Sequence, residues 1–168
     1  MAGRPKIKLE HTRSDKILEI IGGVLIFAIW VLVLVSYPSL PESIPTHYNG
    51  TGEADAFGSK SSIFGLPIVA TVLFIGLSIL NRHPHTFNYP SEITEKNARY
   101  QYQNSTRMLR YLKLVIVIIF GMATYLTIRS AHQETANLGN WFLPLTLGLI
   151  FIPVLYFLIR AYRGDSKN

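Results

Sequence analysis

Four stretches of this chain contain no Asp, Glu, Lys or Arg: between Glu19 and Glu42, between Lys60 and Arg82, between Lys113 and Arg129, and between Glu134 and Arg160. They are 22, 21, 15 and 25 residues long, together about half of the 168-residue chain. A soluble helix of that length interrupts its apolar face with charge on the solvent side. An uncharged apolar helix of about 20 residues instead rises about 30 Å, the hydrocarbon thickness of a bilayer. The pattern predicts an all-α fold: a four-helix polytopic transmembrane bundle with an ordered outer loop and an amphipathic cytoplasmic helix before the third span. A single membrane domain covers residues 1–168, with spans over about 17–36, 63–80, 112–128 and 138–159. The first run, ILEIIGGVLIFAIWVLVLVS, is longer than a secretory signal core, and VSYPSLP supplies no small-x-small cleavage site, so it is read as a retained helix.

The positions of the cations set the orientation. Five Lys or Arg precede the first span, six lie between the second and third, and three follow the fourth, while Lys60 and Arg129 alone lie elsewhere. This asymmetry predicts a cytoplasmic N-terminus, C-terminus and middle loop, with residues 37–62 and 130–137 outside. The net charge of +6 and the pI near 9.7 are therefore topology signals, and with no recognised binding module nucleic acid is not an expected partner. With no cysteine, disulfides, thiolate metal sites and cysteine nucleophiles are excluded.

Glu19 and Lys113 are the ionisable groups nearest to bilayer depth. Either they form an ion pair across the first and third spans, or each snorkels separately to the headgroups. No acid lies mid-span, and Thr71, Ser78, Thr124, Tyr125 and Thr146 are the main polar groups within the spans, a thin basis for a small transporter. Pro144 and Pro153 should bend the fourth span. A cytoplasmic helix should begin at Ser91 or Thr94 and continue unbroken into the third span. On it Lys96, Arg99, Arg107 and Arg110 share an arc of roughly 80°, placing them among anionic inner-leaflet lipids or, alternatively, on a solvated face. His83 and His85 read as surface histidines.

The outer loop, residues 37–62, is stiffened by Pro38, Pro41 and Pro45 and turned by Asn49-Gly50, Thr51-Gly52 and Gly58. It concentrates His47, Asn49, Glu53, Asp55 and Lys60. Two readings compete. In one, Asn49 and Asp55 cap turns, His47 donates to a carbonyl and Lys60 meets headgroups. In the other, His47 and Asp55, with Glu53, converge on a divalent metal or on an acidic ligand, Asn49 orients it and Lys60 contacts phosphate. The eight-residue spacing of His47 and Asp55 permits convergence but fits neither HExxH nor a calcium loop, and no other cofactor is implied. Without a nucleophile–base pair, the favoured reading is a non-catalytic accessory, sensing or immunity-type protein that recognises a peptide, lipid headgroup or protein partner at this loop. The alternative is an exofacial metal-assisted hydrolase or transferase acting on a lipid-linked substrate.

LPESIPTHYNGTGEADAFGSK, residues 40–60, resembles the signature LPxxIPxHxNxxGxxDxxxxK of a small bacterial integral-membrane domain family of uncharacterised function. The matching positions are Pro41, Ile44, Pro45, His47, Asn49, Gly52, Asp55 and Lys60. NYPSEITEKNARYQYQNSTRMLRYLK is similar to that family's segment leading into the third helix. The same domain occurs in the N-terminal half of the immunity protein against the sporulation-delaying toxin, which continues into further helices with no counterpart here. The resemblance implies a bacterial cytoplasmic membrane location; toxin immunity itself is not carried over, because those further helices have no counterpart in this sequence.

Overall fold

Thr12 starts the first helix through a capping box: its hydroxyl accepts from the Asp15 amide while the Asp15 carboxylate accepts from the Thr12 amide. From that cap α1 runs over Arg13–Ser36, followed by α2 (Gly65–Leu80), α3 (Ala98–Ser130) and α4 (Phe142–Asp165). The computed structural model describes residues 4–133 and 136–165. Glu134 and Lys167, used above in counting charge, lie outside the described residues. All four helices are long and apolar enough to cross a membrane. Their large apolar side chains point outward, with Phe27 and Ile152 each 70% exposed. Such a surface would aggregate in water but is solvated by lipid, and the protein is a multi-pass membrane protein.

α3 is the axis on which the others pack. It contacts α1, α2 and α4, α1 also contacts α2, and α4 packs on α3. Its 33 residues span about 50 Å, so the helix projects well beyond the hydrocarbon core at its N-terminal end. That projection secures the end of α4: Gln101 Nε2 donates to the Ala161 carbonyl at 3.0 Å, Asn104 Nδ2 to the Phe157 carbonyl at 2.9 Å, and the Tyr100 hydroxyl to the Arg160 carbonyl at 3.0 Å. Helical carbonyls can accept these bonds because each retains a second lone pair. The chain before α1 folds onto the same projection, where the Tyr102 hydroxyl donates to the Pro5 carbonyl. Tyr89, half-buried against Tyr102, donates to the Pro84 carbonyl at 2.8 Å, and burial pushes its phenol up to about 12.

Three sequence expectations change. The helix leading into the third span begins at Ala98, not at Ser91 or Thr94. Asn97 forms a turn there, accepting from the Thr94 amide and donating to the Glu92 carbonyl, which seats Ile93 against Ala98 and Tyr102. Lys96 therefore lies before the helix. The fourth helix begins at Phe142 because residues 136–139 are held by the outer loop. That loop is not only ordered but a β-hairpin, a two-stranded addition to an otherwise α-helical fold.

The structure joins Glu19 to Lys113, whose Nζ lies 2.5 Å from Glu19 Oε2 and 2.7 Å from Ser78 Oγ. One turn toward the chain termini, Arg110 donates to Asp15 at 3.2 Å and to His11 Nδ1 at 2.8 Å. Arg110 Nε also lies 3.7 Å from Glu19 Oε1, linking the two rungs. Asp15 and Arg110 are almost fully buried, with side chains 6% and 5% exposed. Removing one member of such a pair leaves the other charge uncompensated. Asp15→Asn, which preserves the cap geometry, should therefore destabilise the protein by roughly 3 kcal/mol. Arg99→Gln on the exposed face should have little effect; thermal unfolding in detergent compares them.

Candidate functional site

The hairpin consists of β1 (Ser43–Tyr48) and β2 (Ala54–Ser59), paired antiparallel. Ile44 is its anchor, fully buried in a cluster with Val33, Leu40 and Ile63 that joins the hairpin to α1 and the start of α2. Pro45 lacks an amide proton, and the pairing is irregular directly after it, between Pro45 and His47. The bulge keeps His47 and Tyr48 usable on different sides. Tyr48 reaches down to Thr127 Oγ1 at 3.2 Å and Ser130 Oγ at 3.1 Å on α3. His47 stays exposed, its Nδ1 2.5 Å from Asp55 Oδ1 across the strands.

Asn49 shapes the tip. Its Oδ1 accepts from the Thr51 amide, the Thr51 hydroxyl and the Glu53 amide. This is the turn-capping role. The tip then clasps the segment before α4: the Leu138 amide donates to the Gly52 carbonyl at 2.7 Å, and the Ala54 amide to the Ala136 carbonyl at 2.9 Å. Gly52 has φ +85°, and a Cβ there would lie 2.6 Å from the Gly139 carbonyl oxygen. Both facts require glycine.

A cavity of about 480 Å³ lies beneath the hairpin. Leu66 and Val69 of α2, Phe120 and Ala123 of α3, and Phe142 and Leu143 of α4 form its walls, while His47 and Asn49 stand at its polar margin. Val69 and Leu143 are also 44% and 45% exposed, so the walls continue onto the apolar outer surface of the helices. The cavity therefore has an apolar interior beside a polar His–Asp pair, the usual make-up of a small-ligand site.

The predicted site residues are divided by the fold. His47 and Asp55 meet. Glu53 turns to the Asn49 amide at 3.4 Å, and Lys60 leaves the group to pair with Glu42 at 2.8 Å over the Tyr37 ring. Among the described residues no three His, Cys, Asp or Glu side chains gather as metal ligands, and His83 and His85 stand edge-on with ring centroids 6.1 Å apart. The proposed inner-leaflet stripe also separates: Lys96 and Arg99 are exposed and Arg107 is 40% exposed, whereas Arg110 is buried in its pair with Asp15. Arg110 cannot be a lipid contact because its guanidinium faces α1. Sequence reading missed Asp15, although Asp15 and Glu19 at i, i+4 facing Arg110 and Lys113 at i, i+3 on a parallel helix is a readable signal.

His132 was also missed. Its Nδ1 faces the Ile128 carbonyl and its Nε2 the Ser39 carbonyl, both at 3.0 Å, bracing the end of α3 against the loop after α1. Only the doubly protonated ring donates at both positions. Those two carbonyls, Ile128 first, hold its pKa above the usual histidine value.

A family model described as "Domain of unknown function (DUF1648)" matches residues 24–71, from within α1 through the hairpin into α2. The chain is also similar to an uncharacterized protein of Archaeoglobus fulgidus, 28% identical over 159 residues that cover 89% of this chain and 84% of that protein. No solved structure matches the chain.

Two measurements test the clasp and the brace. Gly52→Ala should destabilise the protein by at least about 1–2 kcal/mol, the cost of left-handed backbone at a residue with a Cβ, and should speed hydrogen exchange of the Leu138 amide. For His132, a raised folded pKa means the contribution is complete below the ordinary histidine value and lost as pH rises through the folded value. The melting temperature of the wild type should therefore fall relative to His132→Ala between about pH 6 and pH 8.

Proposed function

We propose that this is a non-catalytic recognition protein that binds an amphipathic ligand at the hairpin end, its apolar part in the cavity and its polar end beside His47 and Asp55. The observation that carries this reading is the apolar cavity roofed by the hairpin and continuous with the outer surface between α2 and α4. The proposal places the hairpin outside a cytoplasmic membrane and both termini in the cytoplasm, supported by the 14 Lys and Arg on the terminal side against two on the other. An accessory or sensing role fits this arrangement. In the immunity-type form, supported by the signature at residues 40–60, the ligand is a membrane-active peptide captured before it inserts further.

The enzyme reading would need more chemistry than His47 and Asp55 supply. A metal-assisted hydrolase requires a ligand set and a base around one open position. Here Glu53 and Lys60 are engaged elsewhere, and the adjacent surface is apolar. The His47–Asp55 pair is better suited to orient the polar end of a ligand.

A dansyl-labelled fatty acid is a suitable first probe. Purified protein should enhance its fluorescence saturably, and Ala123→Phe, which projects a ring into the cavity, should weaken binding at least about tenfold without lowering the melting temperature. A labelled hydrophobic peptide competing for the same site would favour the immunity-type form. Equal binding by wild type and Ala123→Phe would refute the cavity as the site.

A further inference from the structure

The end opposite the hairpin carries a second, polar cavity of about 40 Å³ between α3 and α4, lined by Tyr100, Gln103, Asn104, Arg107 and Arg160. It lies on the part of α3 that precedes the apolar stretch 112–128, and it is separate from the ligand site proposed above.

Three observations distinguish this corner from the surrounding basic surface. The first concerns charge. Arg110 and Lys113 are matched by Asp15 and Glu19, but Arg107 approaches Asp15 only at 4.0 Å and remains 40% exposed. The second concerns positioning. Arg160 is held on the facing helix, its backbone carbonyl accepting from Tyr100 and its guanidinium carbon 5.9 Å from the Tyr156 ring centroid. Two guanidinium groups from different helices thus flank one opening. The third is an unmatched acceptor. Asn104 is only 7% exposed and its Nδ2 is committed to the Phe157 carbonyl, yet its buried Oδ1 has no hydrogen-bond partner. Such an oxygen calls for a donor.

Guanidinium groups recognise phosphate through paired N–H donors, whereas the Asn104 oxygen requires the opposite polarity. A ligand that suits both carries a phosphate and, a few bonds away, a hydroxyl. The cavity is large enough for a water-sized group, so only the tip of a headgroup enters. We infer that this corner is a specific site for an anionic phospholipid with a hydroxyl-bearing headgroup, of the phosphatidylglycerol type. The phosphate sits against Arg107 and Arg160, and a headgroup hydroxyl donates to Asn104 Oδ1. Bound there, the lipid ties α4 to α3 beside the Tyr100–Arg160 and Asn104–Phe157 hydrogen bonds.

The test uses the full-length protein in detergent, with native mass spectrometry and thermal unfolding on the same samples. Phosphatidylglycerol should be retained and should raise the melting temperature; phosphatidylcholine and inorganic phosphate should do neither. Phosphatidylmethanol, of equal charge but without the hydroxyl, should bind several-fold more weakly. In Arg107→Gln/Arg160→Gln, retention should fall about tenfold or more, and in Lys96→Gln/Arg99→Gln it should be unchanged. Arg107→Lys/Arg160→Lys keeps the net charge and guards against misfolding; it should also lose most retention, because lysine lacks the planar fork. Equal loss in the Lys96/Arg99 variant would reduce the effect to a diffuse basic surface and overturn the site. Equal binding of phosphatidylcholine, or an equal melting shift with inorganic phosphate, would overturn the anionic-lipid assignment, and undiminished retention of phosphatidylmethanol would overturn the Asn104 contact.

Discussion

Two carboxylates on α1 facing two cations on α3 fix the relation between the first and third helices. Asp15 and Glu19 are separated by a rise of about 6 Å, and Arg110 and Lys113 by about 4.5 Å. On parallel helices these intervals are close enough for both rungs to form together: Arg110 with Asp15, Lys113 with Glu19, and Arg110 reaching across at 3.7 Å to the second carboxylate. Slipping α3 by one turn would leave an unpaired charge at each end of the ladder. Because the isolated charges are far more costly near hydrocarbon than in water, the ladder acts more through what it forbids than through the stability it adds. It selects one register, and the projecting half of α3 then receives the N-terminal segment and the end of α4.

The opposite end is built on different terms. Around the hairpin the cross-links are mostly backbone hydrogen bonds, a tyrosine hydroxyl and one imidazole, and two glycines at positive φ, Gly52 and Gly139, allow the chain segments to touch. α4 packs on α3 without an extensive contact to α2, so the start of α4, the start of α2 and the middle of α3 diverge beneath β1. The cavity is the space left by that divergence. Helices chosen to enclose a tight bundle would have closed it. The hairpin covers it instead, with Ile44 as the buried fixing point.

The sequence revealed these two ends unequally. The four spans were legible because charge is absent from long windows, a property that does not depend on tertiary contacts. The Glu19–Lys113 pair was legible because few ionisable groups lie near bilayer depth. The hairpin was not: Pro45 within β1 and the small residues Ala54, Ala56 and Gly58 of β2 suppress the β-branched, alternating pattern by which a strand is recognised, and Ile44 is its main buried apolar anchor. Arg110 misled for a different reason. A helical wheel places it correctly beside Arg107, but which part of that arc faces α1 rather than lipid depends on Asp15, ninety-five residues earlier. The cavity was beyond sequence reading altogether, since it depends on α4 packing against one neighbour rather than two.

The contrast between the ends bears on how a ligand could reach the cavity. Opening the hairpin requires the Gly52–Leu138 and Ala54–Ala136 backbone bonds to break at the membrane surface, where water can replace them. Breaking the charge ladder would leave several buried ions unpaired at once beside the hydrocarbon edge, a much larger cost. Local opening at the hairpin is therefore far cheaper than any motion that shears α1 against α3. Entry to the cavity therefore leaves α1, α2 and α3 in register: a ligand comes in laterally between α2 and α4, and any widening falls on the roof and the start of α4. The His132 brace joins the end of α3 to the loop after α1 beside this roof, and so helps to keep α1 and α3 together while the roof loosens.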